Sequence, residues 1–232
     1  MIITSQGFGH FTQGLNNQDF GIETSRMLLV LDGCSGAKYS EVGTRLFAQL
    51  FSRKEECDNV DKFEDNVKEV FDNLIAMVRK FYTTEKAFER EFIMQNLLFT
   101  IIACFETKDK YVVKLFGDGY VISHNNYGCI SYQKFYYGPY PPYYAYKYCK
   151  NCNLGYEDYT FKTFYYDKKL FSKIAIATDG IQPMAKGDIL NIDDYIHERD
   201  RISIESSIRN NRFRFNDDVT IAMFGGMNNG VV

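Results

Sequence analysis

Tryptophan is absent from the 232-residue chain, histidine occurs three times and proline four times. The scarcity of histidine (His10, His124 and His197) argues against zinc hydrolases, whose open metal sites rely on imidazole ligands. No apolar run reaches the ~18 residues of a membrane span. The N-terminus, MIITSQGFGHFTQG, has no basic stretch before an apolar core, so no signal peptide is expected. Neither charge sign dominates, and a formal net charge of −3 favours neither nucleic acid nor an anionic membrane as a partner. These absences predict a cytoplasmic monomer. The six cysteines are then expected to be reduced thiols. CKNC at 149–152 has the spacing of half a zinc site, but no second CxxC or HxxxH completes it.

The chain does have enough apolar residues for a globular protein. Hydrophobic residues make up 45% and charged residues 25%, which at this length allows a substantial core. One domain spanning 1–232 is expected. Ile2-Ile3 and Phe20–Ile22 read as short strands with a loop between them. Met27–Leu31 is a continuous apolar run short enough for a buried strand. Val42, Leu46, Phe47 and Leu50 fall at helical spacing, and so do Phe63, Val67, Val70, Phe71, Leu74 and Val78. NLLFTIIACF reads as a strand, and YVVKLFGDGYVISH as two strands in a hairpin around Asp118-Gly119. CISYQKF, TFKTFYY, KIAIATDG and DVTIAMF read as later strands, with helix in two pieces across Ile189–Arg209. Strands in runs with segregated helices predict an α+β fold of antiparallel sheets covered by helices.

The segment at about 134–166 is unusual. Its span Tyr136–Tyr166 holds eleven of the 18 tyrosines and three of the four prolines. Proline forbids a regular element in its first half. Two readings stand: a surface loop packed by its own rings, or a flap beside a binding site.

Three apolar strands stop at an aspartate followed by glycine: VLD-G at Asp32, LFGD-G at Asp118 and IATD-G at Asp179. Asp217-Asp218 precede the strand VTIAMF, and Asp19 precedes another. Any single Asp-Gly pair is accounted for by a turn. Several brought together form an acidic cluster that cannot stay fully ionised without added positive charge. Mg²⁺ or Mn²⁺ supplies such charge and prefers oxygen ligands. Glycine beside the ligand lets backbone or solvent approach closely.

Taken in order, GFGHFTQGLNNQD, VLDGCSGAKYSEVGTRLF, FGDGYVI, AIATDGI and DDVTIAMF resemble the motifs of the metal-dependent protein phosphatases, the protein phosphatase 2C family, in its bacterial-type branch. PYPPYYAYK resembles a Pro/Tyr segment of the same branch. The resemblance implies a sandwich of two antiparallel sheets with helices on both outer faces. It also implies hydrolysis of phosphoserine or phosphothreonine on a protein, with two Mg²⁺ or Mn²⁺ ions activating water and no phosphoenzyme. By the same resemblance, Asp32 bridges both metals and Gly33 lends its carbonyl to one. Asp179 and Asp217 are ligands of the other metal, and Asp118 holds a third, weaker ion. Asp19 holds a metal-bound water from one layer behind. The substrate would be a phosphoprotein made by a cognate protein kinase.

Several positions depart from the family pattern. The phosphate-binding arginine of better-known members falls at Gly14 here, their histidine after the second Asp-Gly at Cys34, and a common glutamate at Gln18. His10, shared in type with the bacterial branch, is the candidate for reaching the phosphate or leaving oxygen. Its plainer reading is a polar surface residue. A thiol phosphatase needs Cys-x5-Arg, and the sixth residue after Cys34 is Ser40. Ser35 misses the G-x-S-x-G elbow by one residue, although Asp179 and His197 follow in the order of a serine hydrolase. The absent arginine and histidine also motivate a different class, an inactive relative that binds a phosphoprotein or regulatory partner.

Overall fold

The computed structural model describes residues 1–81, 86–138, 141–149, 160–185 and 201–224. Two five-stranded sheets face each other. The first runs β1 (Ile2–Ser5), β10 (Val219–Phe224), β9 (Phe171–Ala177), β6 (Gly119–Asn125), β7 (Ile130–Phe135). The second runs β2 (Phe20–Glu23), β3 (Met27–Gly33), β4 (Phe99–Glu106), β5 (Lys110–Phe116), β8 (Lys162–Asp167). All these pairings are antiparallel.

Strand side chains alternate faces, and both faces here are buried, which explains the unbroken apolar runs. On β3, Met27, Leu29 and Leu31 meet the helices, whereas Leu28 and Val30 face the other sheet. Ile102, Cys104, Val113, Val121, Ile174, Ile176 and Ala222 complete the layer between the sheets. Helices α2 (Ser40–Phe51), α3 (Phe63–Phe81) and α4 (Lys86–Asn96) cover the second sheet. With no tryptophan to fill that layer, phenylalanine does so. Phe47 lies 5.6 Å from Phe51 and 5.3 Å from both Phe71 and Phe99, ring centre to ring centre. After the short α5 (Gln182–Ala185), helix α6 (Arg201–Asn210) covers the first sheet, its Ile208 packing with Ile3, Tyr120 and Phe215. The expected α+β sandwich with helices on both outer faces is the observed architecture.

Four expectations need correction. Asp118-Gly119 is not a hairpin: β5 belongs to the second sheet and β6 to the first. Gly117 (φ 101°) and Gly119 (φ 132°) take backbone angles that other residues avoid, so the chain crosses the sandwich here and leaves Asp118 at the crossing. The hairpin in this region joins β6 to β7, closed by the Asn125 N–H donating to the Cys129 carbonyl at 2.9 Å. Next, a short helix, α1 (Phe8–Thr12), replaces the loop expected after β1. The described part of the tyrosine-rich segment is not a surface loop packed only on itself. Tyr143, Tyr144 and Tyr146 are buried, and the Tyr144 ring lies 4.9 Å from Phe71 and 5.3 Å from Phe116. Finally, Cys34, Cys57, Cys104 and Cys129 are free thiols, but Cys149 is disulfide-bonded. Cys152, His197 and the first part of the expected helix at 189–200 lie outside the described residues. No helix among the described residues is long and apolar enough to cross a membrane.

Candidate metal centre

The inter-sheet layer is apolar at one end and polar at the other. Asp32 follows Leu28 and Val30 in the same alternating row of β3, so it faces the other sheet where the apolar row ends. Its register partner on β4 is Thr100. The crossing turn brings Asp118, the turn after β9 brings Asp179, and the turn before β10 brings Asp217. Asp32, Gly33, Asp118, Asp179 and Asp217 line one cavity of about 360 Å³. Cys34, Thr100, Tyr136, Pro141 and Tyr143 share the wall, so the tyrosine-rich segment also borders the site.

Asp19 is not in the wall. It is 3% exposed and accepts a hydrogen bond from the Thr178 hydroxyl at 2.9 Å. The Thr220 N–H donates to Thr178 Oγ1 at 3.0 Å. These threonines were missed by sequence reasoning. Each interrupts an apolar strand with a hydroxyl at the end nearest the aspartates, and that was the available signal. Thr100 repeats it in LLFTIIACF.

Asp218 has the clearest structural role. It is 2% exposed and accepts the Gly7 N–H at 2.8 Å on one oxygen and the Gln18 N–H at 2.6 Å on the other. It thereby fastens both N-terminal motifs, GFGH and NNQD, to the start of β10. Its carbonyl also packs on Gly180, so the glycine after Asp179 accommodates a neighbouring main chain. His10 is 6% exposed and lies outside the cavity wall. Its Nδ1 lies 2.8 Å from Asp218 and its Nε2 3.5 Å from Asp217. The structure thus places His10 against Asp217 and Asp218, outside the cavity wall.

The electrostatics follow from burial of like charges. Burial first, then Asp19, Asp179, Asp217 and Asp118, drive the Asp32 carboxyl well above its ordinary range. Burial and then Asp218 and Asp217 do the same to Asp19. Burial and Asp179 push Asp118 up to about 7. Asp179 and Asp217 are also raised, chiefly by burial. The contact with Asp218 raises His10. The Thr100 hydroxyl, 2% exposed in the cavity wall, has no hydrogen-bond partner among the described residues. Crowded carboxylates with an unpaired hydroxyl beside them are a donor set for hard divalent cations, and Mg²⁺ or Mn²⁺ fits it.

The family model for protein phosphatase 2C matches residues 6–135, more than half of the chain. The chain belongs to the protein phosphatase 2C family. No curated protein matches it. Among solved structures, the serine/threonine phosphatase Stp1 from Staphylococcus aureus is similar, at 13% identity over 98% of this chain and 94% of that one, with a TM-score of 0.63. PppA, a regulatory component of the T6SS in Pseudomonas aeruginosa, shares 11% identity over 98% and 96%, with a TM-score of 0.65. The catalytic domain of the serine/threonine phosphatase PstP, solved with two manganese ions, shares 13% over 96% and 95%, with a TM-score of 0.62. At these identities the likeness is one of fold. Gly14, where the sequence resemblance expects an arginine, is an exposed residue with open space around it.

Proposed function

We propose that the protein is a Mg²⁺- or Mn²⁺-dependent phosphatase acting on phosphoserine or phosphothreonine in a protein, as the counterpart of a protein kinase. The observation that carries this reading is the convergence of Asp32, Gly33, Asp118, Asp179 and Asp217, from four separate motifs, on one cavity. Asp32, Asp179, Asp217 and the Gly33 carbonyl are the groups to hold two divalent cations, and Asp118 a third. Such ions, when bound, supply Lewis-acid activation of water and neutralise phosphoryl oxygens.

The chain's own residues prepare that chemistry. Thr178 orients Asp19 beneath the site. Asp218 holds the loops that carry Gly7 and Gln18. Pro141 and Tyr143 wall one side of the cavity and limit water there. A serine nucleophile is not needed: Ser35 lines the same cavity, but among the described residues no histidine lines it.

The test is hydrolysis of a phosphoserine peptide by the full chain with and without Mn²⁺. Turnover should require the metal and fall by several orders of magnitude in Asp32→Ala. Metal-independent turnover, or full activity in Asp32→Ala, would overturn the reading. The lack of any lysine or arginine in the described cavity wall favours the second reading, a protein that binds phosphoprotein without turnover. Metal-dependent peptide binding with no phosphate release would establish that one.

A further inference from the structure

We propose that Lys134 is the cation that receives the substrate's phosphoryl group at the rim of the aspartate cavity, standing in for the arginine absent at Gly14. This assignment rests on the phosphatase reading. A phosphate dianion approaching the four aspartates of the cavity wall needs positive charge from the protein as well as from the ions. Neither the described cavity wall nor Gly14 provides it.

Lys134 is placed by three contacts around the cavity. On β7 it is the register partner of Tyr120, two residues beyond Asp118. Its Nζ donates to Gln182 Oε1 at 2.8 Å, three residues beyond Asp179. The same Nζ stands 5.0 Å from the centre of the Tyr136 ring, which lines the cavity. The ammonium is thus tied to the two elements that deliver Asp118 and Asp179, and to the wall next to them.

The partner it has is also telling. Gln182 is neutral, and Lys134 makes no ion pair among the described residues. The lysine is exposed, on a flexible stem with three rotatable donors. It can therefore exchange the amide for a phosphoryl oxygen without leaving a buried carboxylate unpaired. A lysine kept only to fasten β7 to Gln182 would need a hydrogen bond but no charge.

The experiment separates those two roles. Lys134→Gln keeps hydrogen-bonding capacity and removes the charge; Lys134→Arg keeps the charge. With the Mn²⁺-loaded full chain, inorganic phosphate binding is measured by calorimetry and KM by phosphoserine-peptide hydrolysis. Lys134→Gln should weaken phosphate binding and raise KM about tenfold or more, with melting temperature and Mn²⁺ affinity unchanged. Lys134→Arg should restore most of both. Phosphate affinity and KM within about twofold of wild type in Lys134→Gln, or equal loss in both variants, would overturn the assignment. So would a wild-type protein that binds no phosphate. A wild type that binds phosphate but never turns over peptide would sink the phosphatase reading instead, and the phosphate comparison would still decide the role of Lys134.

Discussion

The carbonyl of Asp218 lies so close to Gly180 that no Cβ fits between them. That contact joins the turn carrying Asp179 to the residues entering β10, and so sets Asp179 beside Asp217. Neither side can yield easily, because both are main chain. Gly180→Ala should destabilise the fold by roughly 1–3 kcal/mol, the usual cost of overpacking a tight contact. It should also weaken Mn²⁺ binding. A variant with wild-type melting and metal affinity would show that the two turns move independently.

The carboxylate cluster makes the stability of the metal-free protein depend on pH. Asp118, raised by burial and by Asp179 to about 7, binds a proton in the folded state that the unfolded chain has released above about pH 4. Its contribution is fully present below that lower value and lost as pH rises through about 7. Asp32, Asp19, Asp179, Asp217 and His10, all raised, act with the same sign. In chelator, the melting temperature should therefore climb as pH is lowered from 8 towards 5, and less steeply in Asp118→Asn. Saturating Mn²⁺ should flatten or reverse the trend, because cations favour the ionised carboxylates. A metal-free melting temperature that falls over the same range would contradict this account of the cluster.

His10 sits against Asp217 and Asp218, not in the cavity wall. Its expected role is to position the Asp217 carboxylate. His10→Ala should raise the Mn²⁺ concentration needed for half-maximal activity about tenfold or more, with kcat largely recovered at saturating metal. A collapse of kcat at unchanged metal affinity would favour direct contact with phosphate or the leaving oxygen.

Tyr144 and Tyr136 belong to the same segment but do different work. Tyr144 is packed among Phe71, Phe116 and Phe161. Tyr144→Ala should cost about 3–5 kcal/mol in chemical denaturation. Tyr136 is 63% exposed at the cavity edge, so Tyr136→Ala should stay within about 0.5 kcal/mol and show itself, if at all, in KM. Equal losses would mean that the segment folds as one unit with the rim.

Much of this protein is determined locally and was therefore legible. The apolar run Met27–Leu31 is fully buried in β3, and the 3.6-residue pattern from Phe63 to Val78 is the buried face of α3. Six aspartates stood out because each ends an apolar strand or precedes one. Pairing partners are not local, and there the tertiary structure decided. Asp118-Gly119 has the chemistry of a hairpin, yet inter-sheet packing of Val113, Leu115 and Val121 draws its two strands into opposite sheets. Tyrosines that read as surface were drawn into the layer under α3 because rings were needed to fill it. Thr100, Thr178 and Thr220 acquire their meaning only when strands distant in sequence set them beside Asp32 and Asp19. Residue type and spacing determined which groups could hold a cation. Which of them meet, and that His10 stands behind Asp217 while Lys134 stands at the rim, followed from how two sheets stack over a shared core.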